Sequence, residues 1–185
     1  VSISTNGRHV LFESSASDLV PDDTNDATDV FVRDLATHST ILVSANTVGT
    51  SGRGKSWQSG MTADGRLVVF SSVANDLVAG DTNGISDIFV RDVQARTTDL
   101  ITAGAGRVTT TTSGSDAPVI TPDGRFVAFL SSATNLVPGV NAPNEVYVRD
   151  LVNGTTLCAS AGAHTYFPGA IMSYNHVISD DGQYV

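Results

Sequence analysis

Two short stretches of the chain repeat the pattern D-x-N-x-x-x-D. One is DTNDATD, with Asp23, Asn25 and Asp29; the other is DTNGISD, with Asp81, Asn83 and Asp87. Hard oxygen donors on a short acidic loop suit Ca2+, and with no His or Cys beside them they do not suit zinc. If each loop curls, its three side chains converge, and a backbone carbonyl near Gly84 or Ile85 supplies a fourth ligand. Asp22 and Asp26 add charge to the first loop. The same residues can instead form Asx-turns that bind nothing. The longer stretch from Asp81 to Asp92 is not an EF-hand loop. Ser86, like Thr28 before it, stands where that loop needs glycine, and residues 87 to 92 read as a strand that sets Asp92 about 16 Å from Asp87.

Those loops recur because the whole chain is a repeat. GRHVLFESSASDLVPDDTNDATDVFVRDL begins at Gly7, GRLVVFSSVANDLVAGDTNGISDIFVRDV at Gly65 and GRFVAFLSSATNLVPGVNAPNEVYVRDL at Gly124, and a fourth copy starts at Gly182. The glycines are 58, 59 and 58 residues apart, and the VRD triplets end at Asp34, Asp92 and Asp150, 58 apart each time. The third copy has lost the acidic run: Val140 replaces the first Asp and the loop is one residue shorter, so calcium is not expected there. It keeps Arg149-Asp150, which assigns the Arg-Asp pair to the blade and its last turn. Asp18, Asp76 and Asn135 recur after the second strand and read as turn caps.

Each period predicts four short strands, a to d. Strand a approaches Asn6-Gly7, Asp64-Gly65, Asp123-Gly124 or Asp181-Gly182, dipeptides that favour a tight hairpin. Strand b is RHVLF, RLVVF or RFVAF, strand c is DVFVRD, DIFVRD or EVYVRD, and strand d is STILVS, TTDLITA or TTLCAS. Strands b and c are apolar on both faces, as inner strands sandwiched between neighbouring sheets must be. Four strands at fixed period make a β-propeller blade, with a β-solenoid as the alternative. The expected blades are 1–56, 57–115 and 116–175, with a fourth starting at 176–185. The b–c and d–a loops then share one face, with Trp57 and Tyr166 near it; for either aromatic, blade packing is the favoured reading.

The quoted TPDGRFVAFLSSATNLVPG and SSVANDLVAGDTNGISDIFVRD resemble the WD40-like (PD40-type) repeat of TolB-like propellers, over nearly the whole chain. The sialidase Asp box is not matched. The resemblance implies an all-β fold with about three blades of a six-bladed ring, in a bacterial envelope or secreted setting. Three blades leave two blade faces open. The chain is then either cut from a longer array or completed by other copies of itself.

Composition narrows the function further. A net charge of -9 argues against nucleic acid and anionic membranes. No apolar run is long enough to span a bilayer. No secretory leader is visible, and the chain begins at Val1, which leaves room for an upstream segment. The acids comprise 17 Asp and only 2 Glu, which suits turns and hard-metal loops rather than helix surfaces. Cys158 is the sole cysteine and reads as an inert thiol in an apolar strand. His9, His38, His164 and His176 stand at unrelated repeat positions. Adjacent acids such as Asp22-Asp23 and Asp180-Asp181 point opposite ways on an extended chain and make poor acid/base couples. No G-x-S-x-G elbow or phosphate loop occurs. Asn153-Gly154-Thr155 is a glycosylation sequon on a turn. The expectation is a non-enzymatic, extracytoplasmic module with no catalytic residues, stabilised by calcium. Its expected partners are protein or further copies of itself, in interaction or surface assembly. The alternative is the propeller cap of a larger hydrolase of the prolyl-oligopeptidase kind.

Overall fold

A computed structural model describes residues 1–103, 105, 114–162 and 175–185. Its described strands form three four-stranded antiparallel sheets. The first holds β1 (Ser2–Ile3), β2 (His9–Ser14), β3 (Asp29–Asp34) and β4 (Ser39–Leu42) in chain order. The second holds β5 (Ser56–Met61), β6 (Leu67–Ser72), β7 (Asp87–Asp92) and β8 (Thr97–Leu100). The third holds β9 (Ser115–Ile120), β10 (Phe126–Ser131), β11 (Glu145–Asp150) and β12 (Thr155–Cys158). Simple up-and-down order follows from short connections and antiparallel pairing.

The apolar inner strands build the core between sheets. Leu11, Val30, Val32 and Val43 of the first sheet pack against Val68, Phe70 and Phe89 of the second. The other face of the second sheet, with Val69, Ile88 and Val90, packs against Val127, Phe129 and Tyr147. One ring pair recurs in register on each blade: Phe12–Phe31, Phe70–Phe89 and Phe129–Tyr147, with centroids 5.6, 5.7 and 5.7 Å apart. Such a pair adds about 1 kcal/mol to the roughly 1.5–3 kcal/mol from burying each ring. Tyr147 is tolerated in the core because its hydroxyl donates to the Ala133 carbonyl at 3.2 Å.

The a–b turn differs from the two-residue hairpin that Asn-Gly and Asp-Gly favour. Only the glycine is left-handed (φ 69° at Gly7, 75° at Gly65, 77° at Gly124), and Asn6, Asp64 and Asp123 are not. The Gly7 N–H donates to the Ser4 carbonyl at 2.9 Å, while Asn6 Oδ1 accepts from Ser4 Oγ and from the Arg8 N–H. The side chain thus caps a four-residue turn, which removes the need for a second positive φ. Strands β5 and β9 also carry bulges, where Gln58 (φ 51°) and Ala117 (φ 54°) are left-handed.

The turn glycines Gly65, Gly124 and Gly182 are seated on the preceding blade. A Cβ on Gly65 would lie 2.6 Å from the His9 ring, one on Gly124 would lie 2.8 Å from Leu67, and one on Gly182 would overlap the Phe126 ring. Backbone bonds add two rungs between turns: Thr5 N–H to the Ala63 carbonyl at 2.9 Å, and Ala63 N–H to the Pro122 carbonyl at 3.0 Å. Residues 175–185 therefore seat a fourth turn on the third blade.

Candidate functional site

Strand c has an aspartate at each end in the first two blades, and the two ends are built differently. At its C-terminal end, Asp34 Oδ1 accepts the N–H groups of Ala36 and Thr37, which closes the c–d turn. Asp92 does the same with Gln94 and Ala95, and Asp150 with Val152 and Asn153. An arginine from the start of strand b completes each: Arg8 to Asp34 at 2.6 Å, Arg66 to Asp92 at 2.7 Å and Arg125 to Asp150 at 3.0 Å. The neighbouring arginines of the VRD triplets turn to the next strand instead, Arg33 to Thr40, Arg91 to Thr98 and Arg149 to Thr156. The Arg-Asp sequence pair thus serves the blade as expected, but through partners 25 or 26 residues away. The Arg8 guanidinium holds Asp34 well below the usual carboxylate range. Burial would raise Asp92, but Arg66 and the turn amides bring it below that range. The Asn153 amide and then Arg125 lower Asp150 to about 2.

The N-terminal end carries the acidic b–c loops. Asp29 and Asp87 are fully buried, and Asp23 and Asp81 are 5% and 7% exposed. A hydroxyl from just beyond strand d holds each strand carboxylate: Ser44 Oγ donates to Asp29 Oδ1, and Thr102 Oγ1 to Asp87 Oδ1. The same hydroxyls accept the N–H groups of Val30 and Ile88. Neither oxygen of Asp23 has a hydrogen-bond partner, nor has Asp29 Oδ2 or Asp81 Oδ1. Burial raises the pKa of Asp29 and Asp81, and pushes Asp87 up to about 6. The charge of Asp23 raises Asp29 further, and that of Asp81 raises Asp87, so each loop acid lies within electrostatic reach of its strand acid.

The asparagines between them form the Asx-turns that the sequence also allowed. Asn25 Oδ1 accepts the Ala27 N–H at 2.8 Å and Asn83 Oδ1 the Ile85 N–H at 3.0 Å, which makes Asx-turns. Their amide nitrogens point inward, Asn25 to the Gly52 carbonyl at 2.7 Å and Asn83 to Asp87 Oδ2 at 2.8 Å. Each of the first two b–c loops thus sets a loop acid near a strand acid, with an Asn between them. Among the described residues no three of His, Cys, Asp and Glu form a cluster. On the third blade Glu145 takes the strand position, and Ser160 Oγ donates to it. Ser44, Thr102 and Ser160 recur 58 residues apart, a signal present in the sequence and easily lost among its many hydroxyls.

The other singled-out residues have structural surroundings. Asp76 accepts the Arg53 N–H at 2.8 Å and ties down the segment entering the second blade, beside an open polar cavity of about 720 Å³ that Asn46 and Ser51 also line. Asp18 is exposed. Lys55 lies 4.6 Å over the Trp57 ring. His9 Nδ1 meets the Asp64 carbonyl at 3.1 Å, and His38 is exposed. Burial raises the Cys158 thiol, which keeps it protonated and unreactive. His164 and Tyr166 lie outside the described residues.

No protein-family model matches the chain, and neither does any curated protein. Solved structures do. TolB from Acinetobacter baumannii superposes on 98% of this chain and 35% of its own, with a TM-score of 0.57 at 18% identity. The protein assigned as TolB from Agrobacterium tumefaciens superposes on 84% of this chain and 46% of its own, with a TM-score of 0.52 at 19% identity. The three sheets are thus blades of a TolB-like β-propeller fold. The chain spans between about a third and a half of the length of these two proteins.

Proposed function

We propose that the chain is a non-enzymatic, extracytoplasmic β-propeller module, braced by calcium at its b–c loops, that works by docking protein. The first partners are blades of its own kind, whether from a second copy or from the same longer chain. One observation carries this reading: the blade-to-blade seat is used three times and is open at both ends. Gly65, Gly124 and Gly182 sit on His9, Leu67 and Phe126. Gly7 has nothing within 4 Å of where its Cβ would be, and Tyr184, at the repeat position of Phe126, is 74% exposed. A glycine surface and an aromatic surface that match within the molecule can match between molecules. An interface that repeats without closing extends, and one that closes makes a ring. The single lysine and abundant Ser and Thr agree with a setting outside the cytoplasm.

The test is the mass of the 185-residue chain in solution by light scattering across a concentration series. Concentration-dependent association, weakened by Tyr184→Asp, supports the reading. A folded, monodisperse monomer at high concentration contradicts it.

A further inference from the structure

The buried carboxylates of the b–c loops carry an inference about where calcium acts, and it rests on the calcium brace of the proposed function. Burying an ionised carboxylate without a partner is costly, and such groups are normally paired, hydrogen-bonded or bound to a metal. Asp23 is 5% exposed with both oxygens unpartnered, and Asp81 is 7% exposed with Oδ1 unpartnered. Each lies within electrostatic reach of a second buried carboxylate, Asp29 or Asp87, and none of the four is in an ion pair among the described residues. Two like charges in a buried site are relieved by a proton or by a cation, and above the carboxylate pKa range the cation is the stronger remedy. The donors are all oxygen, which selects a hard ion, and irregular loop geometry suits Ca2+ better than strictly octahedral Mg2+.

The loops that hold these pairs are also where one blade is fastened to the next. In the first, the Asp22 carbonyl accepts the Ser51 N–H at 2.9 Å, the Thr24 N–H donates to Ser51 Oγ at 2.9 Å and Asn25 reaches the Gly52 carbonyl. The Thr28 carbonyl then accepts the N–H of Ser56, the first residue of β5, at 2.8 Å. In the second, Asn83 reaches the Ala105 carbonyl at 3.3 Å and the Ser86 carbonyl accepts the N–H of Ser115, the first residue of β9, at 2.7 Å.

We propose that each carboxylate pair, Asp23 with Asp29 and Asp81 with Asp87, binds one Ca2+, and that the ion clasps the b–c loop to the linker entering the next blade. The chain then binds two ions, one at each junction between its sheets. The third blade binds none, because Val140 removes the loop acid and Glu145 is occupied by Ser160.

The test is calorimetric titration of the chelator-stripped 185-residue chain with CaCl2, repeated in excess MgCl2, with amide hydrogen exchange on the same samples. Two ions per chain are expected, one in Asp23→Asn or Asp81→Asn, none in the double variant and two in Glu145→Gln. Each Asn variant loses an unpartnered buried charge, so it should melt in EGTA no lower than the parent, which shows that it folds. Calcium should slow exchange at the Thr24, Ser51 and Ser56 amides in the first junction and at Ser115 in the second, and Asp81→Asn should abolish only the latter. No uptake at millimolar calcium, uptake that survives the double variant, or protection that ignores the junction amides would overturn the proposal. The readouts are ion count and exchange, not mass. A propeller that associates without binding calcium would therefore sink the clasp and the calcium brace while leaving the docking reading standing, and one that binds calcium but stays monomeric would do the reverse.

Discussion

The two ends of strand c in the first two blades hold the same residue, aspartate, in opposite electrostatic states. At the c–d end Asp34 and Asp92 each have an arginine and two turn amides, so ionisation is favoured. At the b–c end Asp29 and Asp87 are buried beside a second acid, so ionisation is disfavoured. The c–d end is complete within the chain, whereas the b–c end leaves buried carboxylate oxygens without a hydrogen-bond partner. Residue type did not decide this; burial and the nearest partner did.

Acidity should separate the ends most strongly. A carboxylate raised in the folded state costs stability as it ionises, so in EGTA the penalty is absent below the unfolded pKa of about 4 and complete above the folded value. For Asp87, raised to about 6, the cost is about 3 kcal/mol at neutral pH. The c–d acids act in the opposite sense. Their pKa values are lowered, so their stabilisation is present above about pH 4 and lost as pH falls through the folded values. Denaturant melts across pH in EGTA should therefore show stability peaking near pH 4–5 and falling toward pH 7. Calcium should restore the loss on the alkaline side and leave the acid side unchanged.

Substitution at the self-contained end comes next. Asp92→Ala leaves two turn amides and Arg66 unpartnered and should cost about 2 kcal/mol, equally in calcium and in EGTA. At the other end, Thr102→Val strips the hydroxyl that bridges Asp87 and the Ile88 N–H, at a cost of about 1–2 kcal/mol, with weaker calcium uptake at the second junction only. Arg66→Gln should have the smallest effect, because the exposed ion pair is lost while the turn caps on Asp92 remain. Equilibrium urea melts resolve all three.

Much of this contrast can be read from the repeat. The spacing of Gly7, Gly65, Gly124 and Gly182 placed the blades, and double-sided apolar runs such as Ile88–Val90 marked the inner strands. The loss of the acidic run around Val140 while Asp150 persisted separated the two ends of strand c. The partners were harder to see. Arg8 reaches Asp34 across a hairpin, a contact set by strand register rather than local spacing. Ser44 and Thr102 look like any surface hydroxyl until strand d carries them to the buried acids. The asparagines were legible as loop residues, but which way the amide faces depends on the Asx-turn, and that turned Asn83 into a donor to Asp87. The bulge at Ala117 has no glycine to announce it, whereas Gly60 bounds the one at Gln58.

The most direct test of the whole contrast is the melting temperature of the parent, Asp92→Ala and the Asp23→Asn/Asp81→Asn double variant, each measured with calcium and with EGTA. The account predicts that calcium raises the parent and Asp92→Ala by the same amount, although Asp92→Ala starts lower, and leaves the double variant unmoved. An equal calcium shift in all three, or none in any, would contradict it.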